Sequence, residues 1–346
     1  MTRAVCTAPL VPAARAFMES VLGWTIEERE RVGADPEAAV VIVEAERIGA
    51  EELAVLPALE LIVCVRGEPV NVDLDAATAR GLPVLHAPGR NAESVAEFTI
   101  GLVIALVRHI VRSHDLVRGR LLTEDREVAL RPRRDVVWRP ADPTAIVPYH
   151  AFKGRGLRAT TLGIVGLGAI GRHVAQLARA LGMPVVAHDP YVATALDGVP
   201  LLTLPELLAA CDVLTLHARS PGPPLIGAAE LALMRPGAVL VNTARATVLD
   251  YGALLAALRS GRLAGAALDV YPDEPLTPGD PLLDLEGVIL TPHIAGASAD
   301  VATRQWEILV EGLTCLLIEG RADAAPVRNP EVLTSRRPPW NALRAP

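Results

Sequence analysis

Between residues 161 and 292 short apolar runs alternate with longer stretches of mixed polarity. The apolar runs are LGIVGL (162–167), PVVAHD (184–189), DVLTLH (212–217), AVLVNT (238–243), GAALDV (265–270) and GVILTP (287–292). Between them lie stretches with apolar residues at helical spacing, including HVAQLARALG (173–182), LPELLAAC (204–211) and YGALLAALRSG (251–261). Strands this apolar must be buried on both faces, and helices between them supply the cover. The pattern therefore predicts one doubly wound α/β unit with a parallel sheet.

The first 90 residues repeat the alternation more weakly, in AAVVIVEA (38–45), LELIVCV (59–65) and LPVLHAP (82–88), and predict a second, smaller α/β unit. A long helix pattern, ESVAEFTIGLVIALVRHIVRS (93–113), would join the two. A last one, DVATRQWEILVEGLTCLLIEG (300–320), would return to pack on the first unit. The Pro- and Arg-rich tail from Ala322 is expected to be loosely ordered. Residues 114–160, dense in charge and proline, read as irregular or arm-like, with Trp138 as a possible contact residue.

Composition narrows this picture. A chain of 346 residues is too long for one typical core and fits two domains. Hydrophobic residues make up 51% but aromatics only 3%, so Ala, Val and Leu must fill the interior. The net charge of −7, with no basic tract, argues against nucleic acid or an anionic membrane as partner. Four scattered cysteines (Cys6, Cys64, Cys211, Cys315) lack metal-type spacing and suggest free thiols in a reducing compartment. The N-terminal apolar run is broken by Pro9 and Pro12, which reads as fold rather than signal peptide. With no uninterrupted apolar stretch long enough for a transmembrane helix, a cytoplasmic location is expected.

The first chemistry sits in TLGIVGLGAIGR, where Gly166, Gly168 and Gly171 form GxGxxG after a strand and before a helix. Alone the pattern is weak, and a glycine-rich turn would match it. Its context supports a dinucleotide site. Gly166 would allow the turn, Gly168 the approach of a pyrophosphate, and Gly171 close helix–strand packing. Backbone N–H groups near Ala169, Ile170 and Arg172 would face phosphates at the positive helix end. Asp189, at the end of the next strand, can accept hydrogen bonds from ribose hydroxyls and would repel a 2′-phosphate. NAD is thus favoured over NADP. As the bland alternative, Asp189 is a strand-end turn residue.

Four polar residues follow at strand ends: Arg245 after VNTA, Asp269 after GAAL, Glu274 in YPDEP and His293 in LTPHIAG. The carboxyl ends of parallel strands form one rim where ligands bind, so the four can gather at one mouth. Hydride transfer to a carbonyl needs a proton donor for the developing oxyanion, and histidine titrates near neutrality. A carboxylate such as Glu274 would favour the charged ring. Arg245 can bind a substrate carboxylate through two oxygens and polarise the carbonyl. Each residue also has an ordinary reading: Arg245 as a surface helix-start residue, Glu274 as a solvated loop charge, Asp269 as an N-cap, His293 as a core histidine.

Taken in order, NVDLDAATARGLPV (71–84), APGRNAESVAE (87–97), TLGIVGLGAIGR (161–172), HDPY (188–191), LMRPGAVLVNTAR (233–245), ALDVYPDEP (267–275) and LTPHIAG (290–296) resemble the D-isomer-specific 2-hydroxyacid dehydrogenases, the group that includes 3-phosphoglycerate dehydrogenase. The resemblance covers about residues 40–320. It implies an α/β fold of two doubly wound parallel-sheet domains, a Rossmann NAD-binding domain (98–297) inserted in a flavodoxin-like substrate domain (1–97 plus 298–346). It also implies NAD as cofactor, a homodimer, and interconversion of a small D-2-hydroxy acid, phosphorylated or not, with its 2-oxo acid. By position, Arg245 resembles the family's substrate-binding and catalytic Arg, Glu274 its His-orienting acid, and His293 its proton donor. Asp269 resembles the residue that meets the nicotinamide carboxamide. His217 and Thr243 lie where the family lines the cofactor cleft. Asn91 and Ser94 lie at the crossover beside the substrate.

The sequence also departs from the family. Ala246 and Thr247 follow the Arg where Gly is usual. The substrate loop CVRGEPVNVD (64–73), with Arg66 and Gly67, lacks the usual Gly-x-Gly form and carries Glu68. Arg66 or Arg90 could meet a second anionic group or be a surface residue. The length leaves no room for a regulatory ACT domain. Two other readings remain open on these residues: phosphite-type oxidation on the same scaffold, and an NAD(H)-sensing, corepressor-like protein without turnover.

Overall fold

The computed structural model describes residues 2–123, 145–192, 198–220, 222–334 and 343, so Trp138 and most of the expected arm lie outside the described residues. The chain divides into two compact units, Met1–Asn91 with Ser298–Pro346, and Ala92–Ala297.

In the first unit five strands, β1 (Thr2–Cys6), β2 (Trp24–Glu28), β3 (Val40–Val43), β4 (Leu61–Cys64) and β5 (Val84–Leu85), form a parallel sheet in the order β2-β1-β3-β4-β5. That is the flavodoxin-like order. Its central strands VVIV and LIVC are buried along their whole length, as both-face cover requires. The edge strand WTIEE carries no apolar run: only Trp24 is buried and two glutamates face out. Its polarity explains why hydrophobic patterning passes over it.

The returning helix is present as Val301–Leu313, extended by a π-helical turn Thr314–Ile318. It packs Trp306, Leu309, Leu313, Leu316 and Leu317 against Ala4, Ile42 and Val63 of the sheet. The Trp306 indole Nε1 donates to the Pro9 carbonyl at 3.1 Å. Loose order from Ala322 does not hold as far as Thr334. Val327 and Val332 are buried. The Asn329 side chain accepts from Val84 N (2.9 Å) and donates to the Leu82 carbonyl (2.9 Å). With Arg328 N donating to the Val84 carbonyl (2.8 Å) and His86 N to the Pro326 carbonyl (3.0 Å), this segment pairs the outer edge of β5.

In the second unit β6 (Leu162–Val165), β7 (Val185–His188), β8 (Val213–Leu216), β9 (Ala238–Asn242), β10 (Leu263–Leu268) and β11 (Val288–Leu290) form a parallel sheet in the order β11-β10-β9-β8-β6-β7. A parallel bridge from Leu201 to Ala187 adds a rudimentary strand outside β7. The order reverses beside β6, between β7 and β8, and such switch points are where doubly wound sheets bind nucleotides. All six strands expected in this region are found.

The expected single helix over 93–113 is broken in two. Ala92–Val107 and Ile110–Arg118 meet at a 66° bend, with His109 in the left-handed region at φ 54°. Arg155 N–H takes the Val107 carbonyl (3.1 Å), so the first helix ends there. This first helix sinks Ala96, Ile100, Val103 and Leu106 into the second unit's core, whereas Ile110–Arg118 buries no residue. The whole of Ala92–Val107 goes with the second unit, so the boundary falls at Asn91/Ala92 rather than 97/98. Among the described residues no single helix is long and apolar enough to cross a membrane. All four cysteines are buried free thiols.

Candidate active site

The three motif glycines meet three different demands. Gly166 has φ 96°, and a Cβ there would lie 2.7 Å from the His217 carbonyl group. The loop leaving β6 therefore crosses directly under the end of β8, which only glycine permits. A Cβ on Gly171 would lie 2.0 Å from the Gly166 carbonyl oxygen, so the helix Ala169–Ala180 can rest on its own loop only because that carbon is missing. Gly168, the N-cap, faces open space, with no protein atom within 4 Å of an added Cβ. Packing does not demand glycine there, and the bare backbone leaves room for a pyrophosphate at the positive helix end. Gly171→Ala is expected to cost about 1–3 kcal/mol by overpacking and to weaken NADH binding through the displaced loop. Thermal melting and NADH fluorescence titration of the variant check both effects.

Helix geometry leaves the first N–H groups, those of Ala169 and Ile170, without partners inside the helix. Arg172 is different: its N–H is spent on the Gly168 carbonyl at 3.1 Å, and its Nε donates to the Leu167 carbonyl at 2.9 Å. Its backbone N–H is therefore not free for a phosphate, and only its remaining guanidinium donors could meet one. Asp189 ends β7, where Oδ2 accepts from Leu167 N (2.7 Å) and Oδ1 from Tyr191 N (2.9 Å). Its carboxylate is fixed beside the glycine loop. His217 ends β8 with Nε2 2.9 Å from Thr215 Oγ1, while its Nδ1 is buried without a partner. Burial lowers the ring's pKa to about 3, so it stands neutral with one unanswered polar atom. Open space at Gly168, an anchored carboxylate at Asp189 and an orphaned ring nitrogen at His217 together fit a dinucleotide. The Thr243 hydroxyl is 2.8 Å from Thr99 Oγ1 and buried, so a cofactor would meet this residue through its backbone.

The catalytic candidates gather at the carboxyl ends of β9, β10 and β11. Arg245, Glu274 and His293 line one cavity of about 690 Å³ formed by the second unit. His293 Nδ1 lies 2.7 Å from Glu274 Oε2, and the other Glu274 oxygen accepts from Tyr271 N at 3.0 Å. With Nδ1 turned to the carboxylate, Nε2 is the atom left to face a substrate. The hydrogen bond to His293 does most to hold the Glu274 carboxyl below its usual range, with help from Tyr271 N–H and the Arg245 charge. Arg245 is exposed, with one guanidinium nitrogen donating to the Ala244 carbonyl (2.6 Å).

Asp269 is fully buried, and both its oxygens serve the histidine segment. Oδ1 accepts from Thr291 Oγ1 (2.6 Å) and Ile294 N (2.9 Å), and Oδ2 accepts from Ala295 N (2.8 Å). These three bonds bracket His293, which sits at φ 56°. Such a backbone costs a non-glycine residue of order 1 kcal/mol and persists only where its surroundings over-determine it. Beside the cofactor role expected of Asp269, the structure gives it a second task, holding the loop that carries His293. Tyr271 was missed altogether: its hydroxyl lies 2.9 Å from the carbonyls of Leu268 and Thr291, binding the ends of β10 and β11 together. An aromatic directly after ALDV was the available signal.

The substrate-loop candidates belong to the first unit. There Arg66 donates to the Glu44 carbonyl (3.3 Å), the Gly67 carbonyl is 3.0 Å from His86 Nδ1, and Arg90 donates to Gln305 Oε1 (2.6 Å). Glu68 pairs with Arg328 at 3.1 Å. Asn91 closes the first unit, and Ser94 lies in the first turn of the helix opening the second.

Residues 100–295 match the model of the D-isomer specific 2-hydroxyacid dehydrogenase NAD-binding domain. The chain is 34% identical over 305 residues to a D-3-phosphoglycerate dehydrogenase of Archaeoglobus fulgidus, covering 87% of this chain and 52% of that protein. It therefore spans about half the length of that relative. It is 34% identical over 302 residues to a glyoxylate reductase of Aeropyrum pernix, covering 85% of this chain and 83% of the reductase. Among solved structures, a Thermus thermophilus protein superposes with a TM-score of 0.71 at 34% identity, over 94% of this chain and 99% of its own.

Proposed function

The chain belongs to the D-isomer-specific 2-hydroxyacid dehydrogenase family, its second unit being the NAD-binding domain, and from that premise we propose that it interconverts a small D-2-hydroxy acid and its 2-oxo acid with NAD. The observation that carries the reading is the Glu274–His293 pair at 2.7 Å in one cavity with Arg245. In reduction, Arg245 binds the substrate carboxylate and polarises the adjoining carbonyl. His293 Nε2 then donates a proton to the carbonyl oxygen as it becomes a hydroxyl, and Glu274 stabilises the charged ring beforehand. In oxidation the same nitrogen accepts the hydroxyl proton. The nicotinamide ring supplies or accepts the hydride when the cofactor is bound. Ala169, Ile170 and the open Gly168 would hold its pyrophosphate, and Asp189 its ribose hydroxyls. That carboxylate disfavours a 2′-phosphate, which supports NAD over NADP.

A homodimer is part of the same reading. Among the described residues, Ile110, Val117 and Leu121 are exposed apolar side chains on or just after a helix that buries nothing. Sedimentation of the purified chain tests it. A cytoplasmic location, which would keep the four buried thiols reduced, completes the proposal.

The deciding assay follows NADH consumption with glyoxylate, hydroxypyruvate, pyruvate, 3-phosphohydroxypyruvate and an apolar 2-oxo acid. Turnover with at least one is expected. Tight NADH binding with no turnover on any of them would overturn the dehydrogenase reading in favour of a sensor.

A further inference from the structure

The cavity holding Arg245, Glu274 and His293 is larger than a two-carbon acid needs, and most of its wall is apolar. Its volume of about 690 Å³, open to solvent on the side of Arg245 and His293, leaves room for a side chain of several carbons. The rest of the wall is mostly apolar: Pro224, Leu249, Tyr251, Val270, Tyr271 and Pro272. Only four tyrosines occur in the chain, and two of them stand here. Both have their hydroxyls engaged elsewhere. Tyr251 Oη donates to Asp280 Oδ1, and Tyr271 Oη lies 2.9 Å from the Leu268 and Thr291 carbonyls. The rings are thereby fixed, and what they can offer a ligand is aromatic carbon.

The charges in the cavity point the same way. Its cationic groups are Arg245 and His293, which the substrate carboxylate and the reacting oxygen already use. Its other charged residues are the acids Glu274 and Asp250, the latter accepting from Ala253 N as a helix N-cap. A phosphate entering here would meet carboxylates and ring carbon, with no second cation in this cavity to neutralise it.

We propose that this cavity selects a 2-oxo or 2-hydroxy acid with an uncharged, apolar side chain of several carbons, seated against Tyr251, rather than a phosphorylated one. The proposal rests on the dehydrogenase reading above and names its substrate class.

The test compares kcat/KM for 2-oxo-4-methylpentanoate, glyoxylate and 3-phosphohydroxypyruvate in the full-length enzyme with NADH. The wild type is expected to favour 2-oxo-4-methylpentanoate over 3-phosphohydroxypyruvate by at least about tenfold. Glyoxylate has no side chain to seat. Tyr251→Ala should therefore lower the ratio of 2-oxo-4-methylpentanoate to glyoxylate by about tenfold or more, the scale of lost apolar contact in a specificity pocket. Tyr251→Phe, which keeps the ring, should preserve that ratio. A preference for the phosphorylated acid would overturn the proposal and leave the dehydrogenase reading intact. So would a Tyr251→Ala variant in which both substrates decline together, because a merely structural tyrosine would give that. The wild-type comparison decides the matter if Tyr251→Ala does not fold. Turnover of none of the three would overturn the dehydrogenase reading itself.

Discussion

Replacing His293 with alanine should lower kcat by about 10²–10⁴-fold while leaving NADH affinity nearly unchanged. The ring reaches the cavity from a loop held by Asp269, whereas the glycine loop and Asp189 that would hold the cofactor are built from other strands. Removing the imidazole thus deletes the proton donor without disturbing the dinucleotide cradle. Single-turnover rates and fluorescence titration separate the two effects. An equal loss of turnover and NADH affinity would mean that the residue shapes the fold rather than the chemistry. Full activity would sink its assignment as proton donor.

The partner of this histidine sets a pH expectation. Hydrogen bonding to His293 holds the Glu274 carboxyl below its ordinary value of 4.5. A carboxyl depressed in this way contributes fully above its unfolded pKa, and the contribution disappears as pH falls through the lower folded value. The Glu274–His293 link should therefore persist through mildly acid conditions and open only below the usual carboxylate range. Both side chains are more than a third exposed, so the link's worth lies in orienting the ring rather than in stability. Glu274→Gln can keep a hydrogen bond but not the charge, and its kcat should fall about tenfold or more with NADH affinity nearly unchanged.

Much of this was legible in the sequence where one residue type answers one physical demand. The six apolar runs of the second unit became its six strands because a doubly covered parallel strand can hardly be anything but apolar. The GxGxxG spacing was legible because two of its glycines are forced by backbone contacts that any side chain would violate. The misses arose where tertiary partners decide. Nothing local marks the break at Arg108–His109, since the Val107 carbonyl is claimed by an N–H 48 positions along the chain (155 − 107). The tail near Asn329 looked unstructured because its order comes from hydrogen bonds to Val84 and Leu82, more than 240 residues away. Asp269 was found, but not its hold on the next loop. A strand-end carboxylate facing a cofactor and one folded back on the next loop look identical in sequence.

That difference carries the second large expectation. Asp269→Asn is nearly isosteric, yet it should destabilise the protein by about 2–4 kcal/mol and lower kcat well over tenfold. The carboxylate accepts three hydrogen bonds in a site with no solvent exposure, two of them from the backbone N–H groups of Ile294 and Ala295. An amide offers one oxygen for the three donors and turns its own N–H groups toward another N–H. At least one buried donor is then left unmet, at about 1–3 kcal/mol, and the misplaced amide adds its own cost. What those bonds hold is the left-handed turn at His293. Once they weaken, the residue can relax to an ordinary backbone and carry its ring away from Glu274. A clamp of this kind predicts a pattern that a cofactor ligand would not. The kcat of Asp269→Asn should drop far more than its NADH affinity, as in Glu274→Gln, because both variants loosen the same ring. If NADH affinity declines as steeply as kcat, Asp269 meets the nicotinamide directly and the loop is held by something else.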